Sequence, residues 1–200
     1  MLFRSAEVLN RAAGVHVNNL GGEGHMTAIR QPITTSGVYL YLEDGLPTRP
    51  TGFFNHNGLY EINIPQAAGV EVTKGPGSAL YGSDAIGGII NSLTPVPTRE
   101  AGVSGSVETG SDGWRRLLLQ GNTPIGAHSA GLLQLNRSDS EGFREDAGYE
   151  RSSVLGRWKT ALSDTITADA TTSYTAVERS EEHTSELQSP CNLVCRLLLE

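Results

Sequence analysis

The sequence is short of cysteine, of charge and of long apolar runs, and each shortage removes a class of protein. Its only two cysteines, Cys191 and Cys195, sit at the extreme C-terminal end of the 200 residues. A C-x₃-C pair with no second pair and no nearby histidine is only a weak zinc signal. Charged residues make up 18%, where about 25% is usual, which disfavours a charged helical bundle. The net charge of -7 disfavours a basic nucleic-acid-binding face, so no nucleic-acid partner is expected. No apolar run approaches the roughly 18 residues of a membrane-spanning helix. That absence leaves a membrane barrel untouched, because a barrel strand alternates and never shows such a run. Met1 to Gly14 has no apolar signal-peptide core. Glycine, by contrast, is plentiful: 24 residues, well above the average of about 7%, which points to a turn-rich β protein.

Both ends read as foreign. Arg179-Ser-Glu-Glu-His-Thr-Ser-Glu-Leu-Gln-Ser189 follows an alternating strand with no turn signal and resembles the in-frame translation of a sequencing-library adapter. Arg-Ser-Glu-Glu can be encoded AGA TCG GAA GAG, whose reverse complement reads Leu-Phe-Arg-Ser. That peptide is Leu2-Phe3-Arg4-Ser5. An adapter-flanked read would give this inverted pair, so residues 1–5 and 179–200 are expected to be artefacts and are excluded from the fold reading.

The remainder divides by pattern into residues 6–99 and 100–178. In the first part, Glu7 to Ala13 is a helix candidate stopped by Gly14. Val15 to Val17, Val38 to Leu42, Gly69 to Thr73 and Gly88 to Ser92 are strand candidates. Glu43-Asp44-Gly45 with Pro47 reads as a turn. Short strands with a helix or two make an α+β domain.

The second part is all β. Strands are expected at Gly102–Thr109, Trp114–Asn122, Ala127–Arg137, Arg151–Leu162 and Thr165–Val177. In the last, Ile166, Ala168, Ala170, Thr172, Tyr174 and Ala176 share one face, and Thr167, Asp169, Thr171, Ser173 and Thr175 share the other. Such alternation gives one apolar and one wet face. Ser163-Asp164 reads as a two-residue turn and Ser138 to Glu150 as a long loop. Short and long connections on alternate ends suit an outer-membrane barrel; the alternation alone equally suits a soluble sandwich or a lipocalin-like barrel.

The most informative stretch is Val70-Glu-Val-Thr-Lys-Gly-Pro-Gly-Ser-Ala-Leu-Tyr-Gly-Ser-Asp-Ala-Ile-Gly-Gly-Ile-Ile-Asn91. Gly75-Pro76-Gly77 begins like a dinucleotide fingerprint, but Leu80 breaks it, and no Lys-Ser/Thr follows Gly82. His16, His25, His56 and His128 are scattered without i,i+4 spacing, and no nucleophile elbow is present. Neither an enzyme nor a protein-built metal or cofactor site is therefore expected.

The 70–91 block resembles the plug domain of TonB-dependent outer-membrane receptors, and other pieces fall in that family's order. These are the Glu7 to Val15 helix and Gly-Val, Ala28-Ile29-Arg30, and Leu40 to Pro47. Gln31-Pro32 replaces the family's usual glycine after Arg30, and Lys74 stands where arginine is commoner. The resemblance implies an α+β plug domain over 6–99 followed, over 100–178, by the first five or so antiparallel strands of a transmembrane β-barrel. It further implies a location in the Gram-negative outer membrane, in contact with its lipid. Energised uptake would run through the TonB complex, for a small-molecule nutrient, first of all an iron chelate. Vitamin B12, haem or an oligosaccharide are alternative ligands, and a non-energised adhesin or passive channel is an alternative class.

In the same frame, Gly75, Pro76, Tyr81, Gly82, Gly87, Gly88 and Asn91 are the structural motif. Arg30, Glu71 and Lys74 are candidate plug–barrel contacts. The plug's outward loops would be 18–25, 31–36 and 47–57. The last is the richest, with Arg49, Phe53, Phe54, Asn55 and His56 as candidate ligand contacts: a cation, two aromatics and polar groups suit a small rigid ligand with polar edges.

Overall fold

The computed structural model describes residues 5–21, 24–49, 58–143, 147–179 and 194–199. It divides into two units, Met1–Thr94 and Pro95–Glu200, ahead of the composition shift near residue 99. The adapter-like residues 1–4 and 180–193 lie outside the described residues.

The first unit starts with helix α1 (Ser5–Leu9) and a hairpin of β1 (Val15–Gly21) and β2 (Gly24–Ile29). A four-stranded sheet follows, in the order β4-β3-β6-β5, formed by β3 (Tyr39–Glu43), β4 (Leu46–Pro47), β5 (Gly69–Lys74) and β6 (Gly88–Leu93). Two 3₁₀ turns, Gly58–Tyr60 and Ile64–Gln66, and the short helix α2 (Ser78–Tyr81) complete it. The helix expected to reach Ala13 ends earlier. Asn10 turns its side chain to β1, accepting from Val17 N at 2.7 Å and donating to Val17 O at 3.0 Å. The outer edge of β1 is thereby occupied, and residues 10–14 continue as tight turns.

The central pair, β3 and β6, is parallel, with Leu40 beside Ile89 and Tyr41 beside Ile90. Parallel strands are buried on both faces and lose the period-two alternation, which explains the unbroken apolar run Tyr39-Leu-Tyr-Leu42. Tyr39, Tyr41 and Ile90 join Leu9, Val17, Ile29, Leu59 and Ile62 in one core. Leu40, Leu42, Ile89 and Ala85 form a second core. The tyrosines also tie the hairpin to the sheet: Ile29 N donates to Tyr39 Oη at 2.9 Å, and Tyr41 Oη donates to Thr27 Oγ1 at 3.2 Å.

The second unit is a meander in which each strand pairs antiparallel with the next. Its strands are β7 (Gly102–Thr109), β8 (Arg115–Ile125), β9 (Ser129–Ser140), β10 (Tyr149–Ala161), β11 (Thr167–Arg179) and β12 (Val194–Leu199). The sheet is open, with β7 and β12 as its edges. Among the described residues it is a partial sheet, not a closed barrel. The connection expected over 138–150 is shorter, because Ser138 and Ser140 stay in register with Arg151 and Tyr149. The turn at 163–164 is wider, since both Leu162 N and Ser163 N donate to Ile166 O.

The alternation is resolved with its apolar side outward. Along β9, Gln134 and Asn136 are 2% and 4% exposed, whereas Leu133 and Leu135 are 53% and 42% exposed. Leu117, Leu119, Val154, Trp158 and Tyr174 share the exposed apolar face. The polar face is cross-linked strand to strand: Arg116 Nε donates to Asn136 Oδ1 (3.2 Å), Asn136 Nδ2 to Ser153 Oγ (3.3 Å), and Gln134 Nε2 to Gln120 Oε1 (2.7 Å). Arg157 meets Asp169 through two nitrogens, at 2.9 and 2.7 Å. A water-soluble sandwich would bury the leucines and expose the amides; a membrane barrel does the reverse.

Burial pushes the Tyr41 phenol up to about 12, against a smaller opposing effect of its bond to Thr27. A raised phenol means that the folded state holds its proton more tightly than the unfolded chain. The resulting stability is complete below about pH 10 and is lost as pH rises toward about 12. Urea unfolding should therefore show a loss of about 2–3 kcal/mol over that window, and Tyr41→Phe should remove that part of the pH dependence.

Candidate functional site

The plug-like motif is assembled around one asparagine. Asn91 on β6 accepts Gly45 N on Oδ1 at 2.9 Å and donates from Nδ2 to Glu71 Oε2 on β5 at 3.1 Å. Gly45 belongs to the β3–β4 turn, where Asp44 (φ 48°) and Gly45 (φ 80°) are both left-handed. That is the two-residue hairpin turn for which Asp-Gly is favoured. The turn presents Asp44 to the last residue of the unit: Asp44 Oδ1 accepts Thr94 N at 2.9 Å and Oδ2 accepts Thr94 Oγ1 at 2.5 Å. Asp44 N also donates to Ser92 O at 2.8 Å. A carboxylate and an amide thus join β5, β6, the β3–β4 turn and the unit's exit.

The 75–87 segment folds back on itself. Gly75 N donates to Gly87 O (3.2 Å), Gly77 N to Ala85 O (2.8 Å) and Ser78 Oγ to Ala85 O (3.2 Å). Gly75 (φ 108°) and Gly82 (φ 87°) flank the α2 turn in left-handed conformations, and Pro76 fixes the entry. Gly88 serves a different need: a Cβ there would lie 2.8 Å from both Thr73 O and Ile29 Cδ1. At Gly87 it would lie 2.9 Å from Tyr39 Cε1, and at Gly77 2.5 Å from Ile89 Cδ1. The close approaches made by these glycines are therefore internal to the unit. Tyr81 is exposed, as is Leu80 beside it.

The other expected residues are more dispersed. Arg49 forms an ion pair with the buried Glu61 and reaches Tyr60 Oη at 3.5 Å. Burial alone would lower its pKa, but the Glu61 bond and charge outweigh this and raise it. Arg49 is therefore an anchor at the base of the 47–57 loop. Phe53, Phe54, Asn55 and His56 lie outside the described residues. Arg30 ends β2 in the left-handed region (φ 55°), its N–H donating to Gly14 O at 2.9 Å. Lys74 closes β5 and is half-buried. No group of three metal-ligating side chains gathers among the described residues. Glu61 and Thr94 were missed in the sequence: neither stands in a motif, and Thr94 meets Asp44 across fifty residues.

A plug-like α+β unit followed by a meander with its apolar face outward defines the class of outer-membrane receptors. The family model "TonB-dependent Receptor Plug Domain" matches residues 3–89. The vitamin B12 transporter BtuB of Vibrio vulnificus (strain CMCP6) is 31% identical over 176 residues, covering 82% of this chain and 28% of that protein. Among solved structures, the pyoverdine receptor FpvA of Pseudomonas aeruginosa PAO1 superposes with TM-score 0.70 at 20% identity, covering 86% of this chain and 25% of that one. The ferric yersiniabactin receptor FyuA of Yersinia pestis gives 0.67 at 20% identity, over 86% and 29%. Residues 3–89 belong to the plug-domain family of the TonB-dependent receptors, and the likeness to whole receptors runs on into the strands. The chain spans just over a quarter of the length of the curated relative and similar shares of those receptors. These relatives are transporters and receptors, not enzymes.

Removing the central amide should loosen the motif without touching either apolar core. Asn91→Ala leaves Glu71 and the Gly45 amide to water at an exposed site, so a loss of about 1–2 kcal/mol in urea unfolding is expected. Arg49→Met strands the buried Glu61 carboxylate and should cost more, about 3 kcal/mol; Arg49→Met combined with Glu61→Gln should recover most of it.

Proposed function

We propose that this chain is the plug and the first barrel strands of an outer-membrane importer that takes up a scarce small nutrient, energised through the TonB complex. The observation that carries the reading is the direct succession of a motif-bearing plug unit by a sheet whose polar side chains are buried and whose leucines are exposed. Exposed leucines match an outward apolar band in the outer membrane, and the buried polar network matches the interior of a barrel. The ends of the chain, 1–5 and 179–200, are read as adapter-derived, on the inverted-repeat coding of their peptides.

A ferric siderophore is the first ligand reading. The 47–57 loop supports it by offering Phe53, Phe54, Asn55 and His56, with Arg49 at its base already paired with Glu61 and able to turn only its remaining N–H groups to a ligand, a set suited to a rigid chelate with polar edges. Arg30, Glu71 and Lys74 would face the barrel wall. Vitamin B12 is the second reading, favoured by the likeness to BtuB proteins, which extends beyond the plug into the strands. Iron or cobalt would enter as part of the cargo.

The complete gene product, expressed in cells lacking their own iron-chelate and B12 receptors, should restore uptake of one radiolabelled cargo. The ferric chelate supports the first reading and cobalamin the second. In either case, loss of TonB should reduce uptake at least tenfold. Uptake that persists without TonB, or passive leakage of small solutes, would place the protein with non-energised channels instead.

A further inference from the structure

The exposed apolar face of the second unit is not uniform. Its rows can be followed from strand to strand. The row at one end is Thr109–Arg115–Asp139–Glu150–Glu178, largely charged, with Arg115 Nη2 3.0 Å from Asp139 Oδ2. The next row brings Arg137 on β9, whose Nη2 lies 2.7 Å from Glu150 Oε1. The rows beyond carry Leu119, Leu135, Val154 and Tyr174, then Val103, Gly121, Leu133 and Gly156, then Thr123, Gly131, Trp158 and Ala170. At about 3.4 Å per residue, β9 from Arg137 to Ser129 covers roughly 27 Å. A tilt of about 40° makes that roughly 20 Å of height, most of the about 25 Å apolar band of an outer-membrane barrel.

Within this band the glycines leave a groove. Gly121, Gly131 and Gly156, on three neighbouring strands, have no side chains to fill the face, while Val103, Leu133 and Trp158 stand around them. The resulting depression has a volume of about 680 Å³. A Cβ added at Gly121 would meet nothing within 4 Å, whereas at Gly131 it would lie 3.0 Å from Ile125 Cδ1 and at Gly156 3.3 Å from Thr172 Cγ2, so the open floor of the groove is at Gly121. Its lining is mostly hydrocarbon and an indole, with the hydroxyls of Thr123 and Thr172 on the same face; Arg157, which also lines it, is paired with Asp169. The groove lies in the rows nearest the turns 126–128 and 162–166, opposite the end that carries the charged row and the 141–148 connection. Short turns mark the periplasmic end of such barrels.

We propose that this groove seats one acyl chain of a phospholipid from the periplasmic leaflet. The occupant must be apolar along most of its length, because the groove is lined mainly by hydrocarbon, and slender, because the groove is bounded by single side chains. It must also lie flush with the lipid-facing band that the groove interrupts. Its depth selects the inner leaflet over the lipopolysaccharide of the outer one. Trp158, at the groove's edge in the lower rows, holds the position of an interfacial aromatic, where the amphipathic indole meets the headgroup region.

The proposal rests on the membrane reading of the sheet, and the test separates the two. In the complete gene product, Leu133 is replaced by p-benzoylphenylalanine, with Leu119→p-benzoylphenylalanine as the control on the same face outside the groove. Native outer membranes are illuminated and adducts are weighed by mass spectrometry. The proposal expects a phospholipid adduct at Leu133 that survives delipidation and falls at least fivefold with Gly121→Leu. Gly121→Ala should give an intermediate loss, and the Leu119 adduct should not change. Equal phospholipid adducts at both positions, indifferent to Gly121→Leu, would overturn the groove and leave the membrane reading standing. A lipopolysaccharide or protein adduct at Leu133 would overturn the assigned occupant. Absence of any lipid adduct at either position would overturn the membrane reading itself.

Discussion

Hydrocarbon offers no hydrogen bonds, and the placement proposed for the second unit turns on that constraint. A strand facing lipid must satisfy its backbone groups against neighbours, as β9 and β10 do, being paired on both sides along nearly all their length. Its polar side chains are then confined to the other face, where they can satisfy one another. Arg116, Asn136 and Ser153 span three strands in this way, and Gln120 with Gln134 and Arg157 with Asp169 add further rungs. The same constraint explains why the leucines point outward: in lipid, exposure of an apolar side chain carries no hydrophobic cost.

The first unit answers to water and to tight packing instead. Its centre is a parallel strand pair buried on both faces, and closeness is obtained by glycine at Gly77, Gly87 and Gly88, where a methyl group would collide with Ile89, Tyr39 or the Thr73 carbonyl. Around that packing runs a polar tie of Glu71, Asn91, Asp44 and Thr94, short-range in space but long-range in sequence. Two small apolar cores hold its interior, and a few exchangeable hydrogen bonds hold its exit.

Much of this was legible in the residues. The period-two strands at 102–109 and 165–177 and the Asp-Gly turn at 44–45 follow from local rules and fall where those rules put them, within a few residues. The sense of the alternating face was not legible, because Leu133 and Gln134 alternate identically in a soluble sandwich and in a lipid-facing barrel; only the burial of the amides separates the two. The helix beyond Leu9 was lost to a tertiary competitor, the bond between Asn10 and Val17. Arg49 reads as a ligand-facing cation in sequence, yet it meets Glu61, a partner with no local signature. The plug motif itself was the most legible element, because its glycines answer to sterics that tolerate little variation.

The central claim is that the second unit crosses the outer membrane with its apolar face in lipid. Cysteine scanning of β9 tests it directly, in the complete gene product with its native cysteines changed to serine. Leu133→Cys, Gln134→Cys, Leu135→Cys and Asn136→Cys would each be treated with a hydrophilic thiol reagent, in native outer membranes, after detergent has replaced the lipid, and again after unfolding. The account predicts that Leu133→Cys and Leu135→Cys are protected in membranes and become reactive when detergent replaces lipid, while Gln134→Cys and Asn136→Cys do not respond to lipid removal. Full reactivity of Leu133→Cys and Leu135→Cys toward the aqueous reagent in intact membranes would contradict it.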